Sequence, residues 1–306
     1  MRTRSGYSNN MNKIYTIMFW FSVLLATIAV VATLILGLNL GVDFKGGSVI
    51  ELEFLNGRPE VESIQKALFD FKELTLTPFG SSGLMIRTGE LSEQNHQDVL
   101  NKIKLVFPAS GLEERKFDSV GPLIGNELKN KSVIAIIWVL LGVIIYIATV
   151  FRKLSRVLPG WAMGIAAIVA LVHDVVIPTG IFALLGHFYG IEISAIFVAA
   201  ALTVLGYSVS DTVVVFDRVR ENVLKGGVKD SFGAVVHKSI MQTLTRSLNT
   251  TFTTLLSLVA IYLFGGESIK YFALALIMGI FLGAYSSIFV ASPLLVWWNK
   301  GGGRYG

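Results

Sequence analysis

The sequence predicts an α-helical integral membrane protein: a bundle of six membrane-spanning helices with one α+β domain of ferredoxin-like type inserted after the first helix. Three observations lead there. Hydrophobic residues make up 53% of the 306-residue chain and charged residues 15%, with a mean hydropathy of +0.65, whereas soluble domains carry about 25% charged residues. Six apolar stretches are long enough to cross a bilayer, which takes about 20 residues of helix. Between the first and second of them, residues 39–129 read as short strands and helices in the order β-α-β-β-α-β.

The spans follow from the charge pattern. Residues 14–42 and 132–151 carry no charge, and 157–191 carry only His173, Asp174 and His187 as ionisable groups. Asp211 alone interrupts 193–216, and 247–266 and 271–299 are clean except for their hydroxyls and amides. Helices are therefore expected at 15–38, 130–150, 160–186, 192–217, 239–264 and 270–298, with short tails at 1–14 and 299–306. The first apolar run is far longer than the roughly 7–15 residues of a signal-peptide core, so it reads as an uncleaved helix. Lys and Arg set the orientation. Arg2, Arg4, Lys13, Arg152, Lys153, Arg156, Arg218, Arg220, Lys225, Lys229, Lys238, Lys300 and Arg304 lie on one side, against Lys270 in the short turns of the other. Both termini are thus expected in the cytoplasm and 39–129 outside. The basic pI of about 9.3 reads as this topology signal, not as a nucleic-acid surface.

In the inserted segment, 48–54 reads as a strand. Pro59 opens a helix with Val61, Ile64, Leu68 and Phe71 at helical spacing. Short strands at 74–78 and 84–88 flank the Gly80-Ser81-Ser82-Gly83 turn. Ser92 caps a second helix with Val99, Ile103 and Val106 inward, and 112–120 closes the domain. His96 reads as a surface residue and His187 as a solvated loop residue. Cysteine is absent, and neither a nucleophile–base pair nor a metal-ligand cluster is apparent. An enzyme, a cofactor and a metal site are not expected.

Ionisable groups at bilayer depth are costly and read as functional. Asp211 lies six residues inside Asp217, about 9 Å at the helical rise, and Arg246 eight residues past Lys238, about 12 Å. Thr203, Tyr207 and Ser208 continue the first face, and Thr250, Thr253 and Ser257 the second. Opposite charges at matching depth are expected to meet, with Asp211 and Arg246 forming an ion path or a structural pair. Asp174, beside His173 and four residues before Pro178, has the form of a proton relay or of an inert buried carboxyl. Gly279 and Gly283, and Gly160 and Gly164, are spaced for close helix crossings.

Three motifs carry a resemblance: Asp43-Phe44-Lys45-Gly46-Gly47 after the first helix, the run from Gly206-Tyr207-Ser208 through Asp211 to Asp217-Arg218-Val219-Arg220-Glu221-Asn222, and Gln242-Thr243-Leu244-Thr245-Arg246-Ser247. Together they resemble the SecD/SecF family of bacterial protein export, in its smaller SecF branch. The resemblance implies half of a resistance-nodulation-division (RND) transporter bundle in the bacterial inner membrane. It implies a required SecD-like partner, action at the SecYEG channel on preprotein substrates, and use of the proton motive force to promote release on the outer side. It leaves room for further accessory translocase subunits, and its surroundings are the lipid bilayer, not nucleic acid. Asp211 and Arg246 match the family positions linked to proton conduction. The chain ends soon after the sixth helix, so the partner half is expected on a separate chain. The alternatives are a half-transporter of another RND system moving lipid or small molecules, and a non-conducting membrane scaffold.

Overall fold

The structure, a computed structural model, describes residues 4–71, 74–151, 160–225 and 231–301. Contacts divide it into two compact units, one from Leu40 to Val133 and one made of Met1–Asn39 with Ile134–Gly306.

The inserted unit begins with a single helical turn, α2 (Val42–Lys45), numbered after the first long helix α1 (Arg4–Leu36). It continues through β1 (Gly47–Phe54), α3 (Val61–Ala67), β2 (Thr75–Phe79), β3 (Gly83–Thr88), α4 (Glu93–Val106) and β4 (Leu112–Val120). The sheet order is β2-β3-β1-β4 and every pairing is antiparallel, the ferredoxin-like arrangement expected from the element order. Period-2 alternation sends Ile50, Leu52 and Phe54 of β1 and Leu84 and Ile86 of β3 into one core with Ile64, Leu68, Val99, Leu100 and Ile103. Two expectations fail here. Val106 is exposed, and its place on the inner face of α4 is taken by Leu100 and His96. His96 is buried because its ring lies flat on Phe117 at 3.8 Å, with Nδ1 and Nε2 at 3.4 and 3.1 Å from Glu93 and Glu114. A lone polar residue had read as surface, but an aromatic ring with carboxylates at its rim can be covered.

The larger unit holds helices long and apolar enough to cross a membrane, six among the described residues. They are α1, α5 (Pro122–Val150), α6 (Gly160–Tyr189), α7 (Ala195–Lys225), α8 (Phe232–Phe264), and α9 (Glu267–Ser286) running through a π-helical turn (Ser287–Ala291) into α10 (Ser292–Gly301). Several run past the apolar boundaries, because helix continues where polar residues pair along it. α5 starts at Pro122, not 130, with a Glu127–Lys131 bridge of 2.7 Å in its polar turns. α7 runs on to Lys225 with Arg220–Asp217 and Arg218–Glu221 pairs. α8 begins at Phe232, where Ser231 Oγ accepts from the Ala234 N–H. α6 reaches Tyr189, so His187 is exposed in a last helical turn and not in a loop.

Small residues set the helix spacing. A Cβ built on Gly279 of α9 would lie 2.2 Å from Val204 of α7, and one on Gly283 would lie 3.1 Å from Ser208. Gly164 does not act this way, since a Cβ there would meet Ile144 only at 3.8 Å; the side-chain surroundings of Gly160 lie outside what is described. Gly180 instead makes the close crossing of α6, on Ala29 of α1. The apolar core of this unit gathers Ile147, Phe151, the alanines of α6, Val215, Phe216, Phe232 and Leu295.

Candidate functional site: two buried carboxyls held by serines

Asp174 and Asp211 are buried in the helical unit, 0% and 8% exposed. Each is held by hydroxyls from other helices. Asp174 Oδ2 accepts from Ser208 Oγ of α7 at 2.6 Å and from Ser286 Oγ of α9 at 2.7 Å, and His173 Nδ1 lies 2.8 Å from Oδ1. Asp211 Oδ2 accepts from Ser247 Oγ of α8 at 2.7 Å and from Ser287 Oγ at 3.1 Å. Four helices thus converge on two carboxyls through four serines.

The backbone explains how. Gly279 and Gly283 let α9 lie against α7 at the level of Ser208. Successive helical residues point about 100° apart, so the neighbours Ser286 and Ser287 reach different helices, α6 and α7. The chain then widens into the π-helical turn from Ser287, and Ser292 Oγ donates to the Ser287 carbonyl at 2.7 Å, satisfying a carbonyl beside the irregular turn.

Arg246 does not meet Asp211 as expected. It is exposed on α8, and no ion pair joins the two among the described residues. Its neighbour Ser247 points inward instead and takes the carboxyl, because positions one apart on a helix do not share a face. The hydroxyl stripes also differ from expectation. Thr203, Thr250, Thr253 and Ser257 are exposed and donate to carbonyls of their own helices. The Tyr207 hydroxyl is buried without a partner among the described residues. Ser208 alone of the expected stripe touches a carboxyl, and that carboxyl is Asp174, not Asp211. Ser247, Ser286 and Ser287 were passed over as site residues; adjacent serines in an otherwise apolar final helix were the available signal. No group of His, Asp and Glu suited to a metal occurs among the described residues.

The Asp43-Phe44-Lys45-Gly46-Gly47 motif lies in the other unit, as α2 and the start of β1. Gly46 has φ 81° and ψ 165°, a region open essentially to glycine alone. A Cβ there would fall 2.7 Å from the Pro122 Cα, and one on Gly47 would fall 2.6 Å from the Thr88 carbonyl oxygen. The motif packs the strand entry against the start of α5.

Comparison with known proteins adds the family. The family model "Protein export membrane protein SecD/SecF, C-terminal" matches residues 101–301, and the SecD/SecF GG motif matches 31–54. A protein translocase subunit SecF of Thermobaculum terrenum is 42% identical over 92% of this chain and 91% of its own length. A SecDF subunit of Brucella abortus is 38% identical over 90% of this chain and 35% of its own. The crystal structure of SecDF from Thermus thermophilus, a translocon-associated membrane protein, superposes with a TM-score of 0.80 at 33% identity, over 95% of this chain and 38% of that one.

Proposed function

The chain belongs to the SecD/SecF family of protein-export membrane proteins, with the SecF subunits as its relatives, and we propose that it is the SecF half of a proton-driven export complex. In this reading it pairs with a SecD-like subunit in the bacterial inner membrane, both termini in the cytoplasm. The pair acts at the SecYEG channel, using the proton motive force to draw preproteins through and release them outside. The alternating protonation of Asp211 drives the cycle. The observation that carries the reading is the form of the Asp211 site: a buried carboxyl held by two hydroxyls and by no cation. A structural brace between charged helices needs the ion pair, whereas a carboxyl that must gain and lose a proton is better served by neutral partners. Arg246 supports the need for a partner. It is exposed on α8 with Asn249, Thr250, Thr253 and Ser257; the three hydroxyls bond their own helix, but lipid cannot satisfy the guanidinium and a second half-bundle can.

The test uses membrane vesicles carrying this chain, its SecD-like partner and the Sec channel. Asp211→Asn keeps the shape and removes the titration. Acceleration of export by an imposed proton gradient should be lost, with complex yield unchanged. Gradient-dependent acceleration surviving in Asp211→Asn would remove this carboxyl from the mechanism, and failure of the complex to assemble would favour a scaffold.

A further inference from the structure

Ser286 and Ser287 each face two acceptors with a single hydroxyl proton. Ser286 Oγ lies 2.7 Å from Asp174 Oδ2 and 3.2 Å from the Gly283 carbonyl oxygen. Ser287 Oγ lies 3.1 Å from Asp211 Oδ2 and 2.9 Å from the Ala284 carbonyl oxygen. A serine hydroxyl can donate one bond and accept two, so only one of each pair of contacts can be a donated bond at a time. We propose that these two serines are hydrogen-bond switches that let Asp174 and Asp211 both load and release a proton, making Asp174 a second proton-carrying group. The proposal rests on the proton-driven reading above and extends it to a residue pair and a second carboxyl.

The switch works without moving heavy atoms. With Asp211 ionised, the Ser287 hydroxyl donates to Oδ2. When a proton binds Oδ2, the new O–H donates to Ser287 Oγ, and the Ser287 proton turns to the Ala284 carbonyl. One O–H bond forms on the carboxyl, its charge goes from −1 to 0, and every polar group keeps a partner. Asp174, Ser286 and the Gly283 carbonyl repeat the arrangement one residue earlier. Ser208 and Ser247, the other serines on the carboxyls, make no second contact of this kind. The double contact recurs on the neighbouring residues Ser286 and Ser287, each on a different buried carboxyl. Among the described residues, further titratable or charged groups near the pair are His173, whose Nδ1 lies 2.8 Å from Asp174 Oδ1, Tyr285, on which the His173 ring stacks at 6.2 Å, Tyr207 beside Ser208, and Arg246.

The test reads the carboxyls directly, by infrared difference spectroscopy against pH on the reconstituted complex of this chain with its SecD-like partner. Asp174→Asn and Asp211→Asn assign the protonated-carboxyl bands, and each should delete one titrating band. Ser287→Ala should move the Asp211 midpoint, and Ser286→Ala the Asp174 midpoint, each by about one pH unit. That is the scale of one lost hydrogen bond to a charged group. Ser287→Thr and Ser286→Thr, which restore a hydroxyl able to reach the same carbonyls, should return the midpoints. If Asp174→Asn deletes no titrating band, or if the alanine variants leave both midpoints in place in a complex of normal melting temperature, the proposal is wrong. Export distinguishes the two readings. Gradient-dependent export retained in Asp211→Asn overturns the proton-driven function whatever the bands do, while absent serine shifts with export lost in Asp211→Asn overturn the switch alone.

Discussion

Gly279→Ala tests whether the contact of α9 on α7 sets the geometry of the carboxyl site. Two effects oppose each other. Alanine is about 1 kcal/mol better than glycine inside a helix. Against this, the added methyl carbon would lie 2.2 and 2.6 Å from the two γ-carbons of Val204 and 3.0 Å from its Cβ. Valine has one strongly preferred rotamer in a helix, and Val204 is only 3% exposed, so it cannot turn away and the helices must separate. Overpacking of this kind costs about 1–3 kcal/mol, which exceeds or matches the propensity gain. The single variant should therefore be neutral to about 2 kcal/mol destabilised. Val204→Ala alone leaves a small void; in Gly279→Ala/Val204→Ala the two severe γ-carbon contacts are gone and only the 3.0 Å approach to the Cβ of residue 204 remains, so most of the propensity gain is realised. Relative to Val204→Ala, the double variant should be about 1 kcal/mol more stable, so the sign of the Gly279→Ala effect reverses with the residue at 204. The assay is a double-mutant cycle on the melting temperature of the purified complex in detergent. If Gly279→Ala raises stability equally in both backgrounds, the close approach of α9 to α7 constrains nothing.

Gly46→Ala meets both a glycine-only backbone conformation and the Pro122 backbone at 2.7 Å; it should destabilise the inserted domain by more than about 2 kcal/mol, read as faster proteolysis within 40–133 in the full-length protein, and wild-type resistance would contradict it. The proposed orientation is checked by cysteine labelling, for which the cysteine-free sequence is a clean background: Ser81→Cys should react with an impermeant reagent in intact cells and Gly226→Cys should not, and the reverse pattern inverts the topology.

The bundle was legible in sequence because bilayer solvation is a one-dimensional constraint. A charge-free run of 20 residues has few uses other than spanning. The inserted domain was legible because two periodicities alternate in an order that few folds share. Helix ends were not, since the polar turns of α5 before residue 130 are held by partners along the helix and by the packing of Pro122, which apolarity does not report. His96 was missed because its burial depends on Phe117, twenty-one positions away, presenting a flat ring. The site was half legible. Asp174 and Asp211 stand out as carboxyls in apolar helices, and Arg246 as their natural counter-charge. Which hydroxyls would reach them depends on helix rotation and on the Gly279 and Gly283 contacts, and serine carries little signal because it can always bond its own helix, as Thr250 and Thr253 do.

The displacement of the expected Asp211–Arg246 pair by serines bears on mechanism. A guanidinium donates only and never gives up its proton, so protonating a carboxyl bonded to one removes the charge attraction between them, although the carboxyl oxygen can still accept. A hydroxyl both donates and accepts, so a carboxyl between hydroxyls can change its charge in place. On the proton-driven reading proposed above, with Arg246 making no ion pair with Asp211, proton loading and helix movement would be separable: the serines would serve loading, and Arg246 on the exposed face of α8 would serve the coupling to a partner half. In the partnered complex, removing the Arg246 charge should disturb coupling between proton loading and export more than it disturbs loading itself.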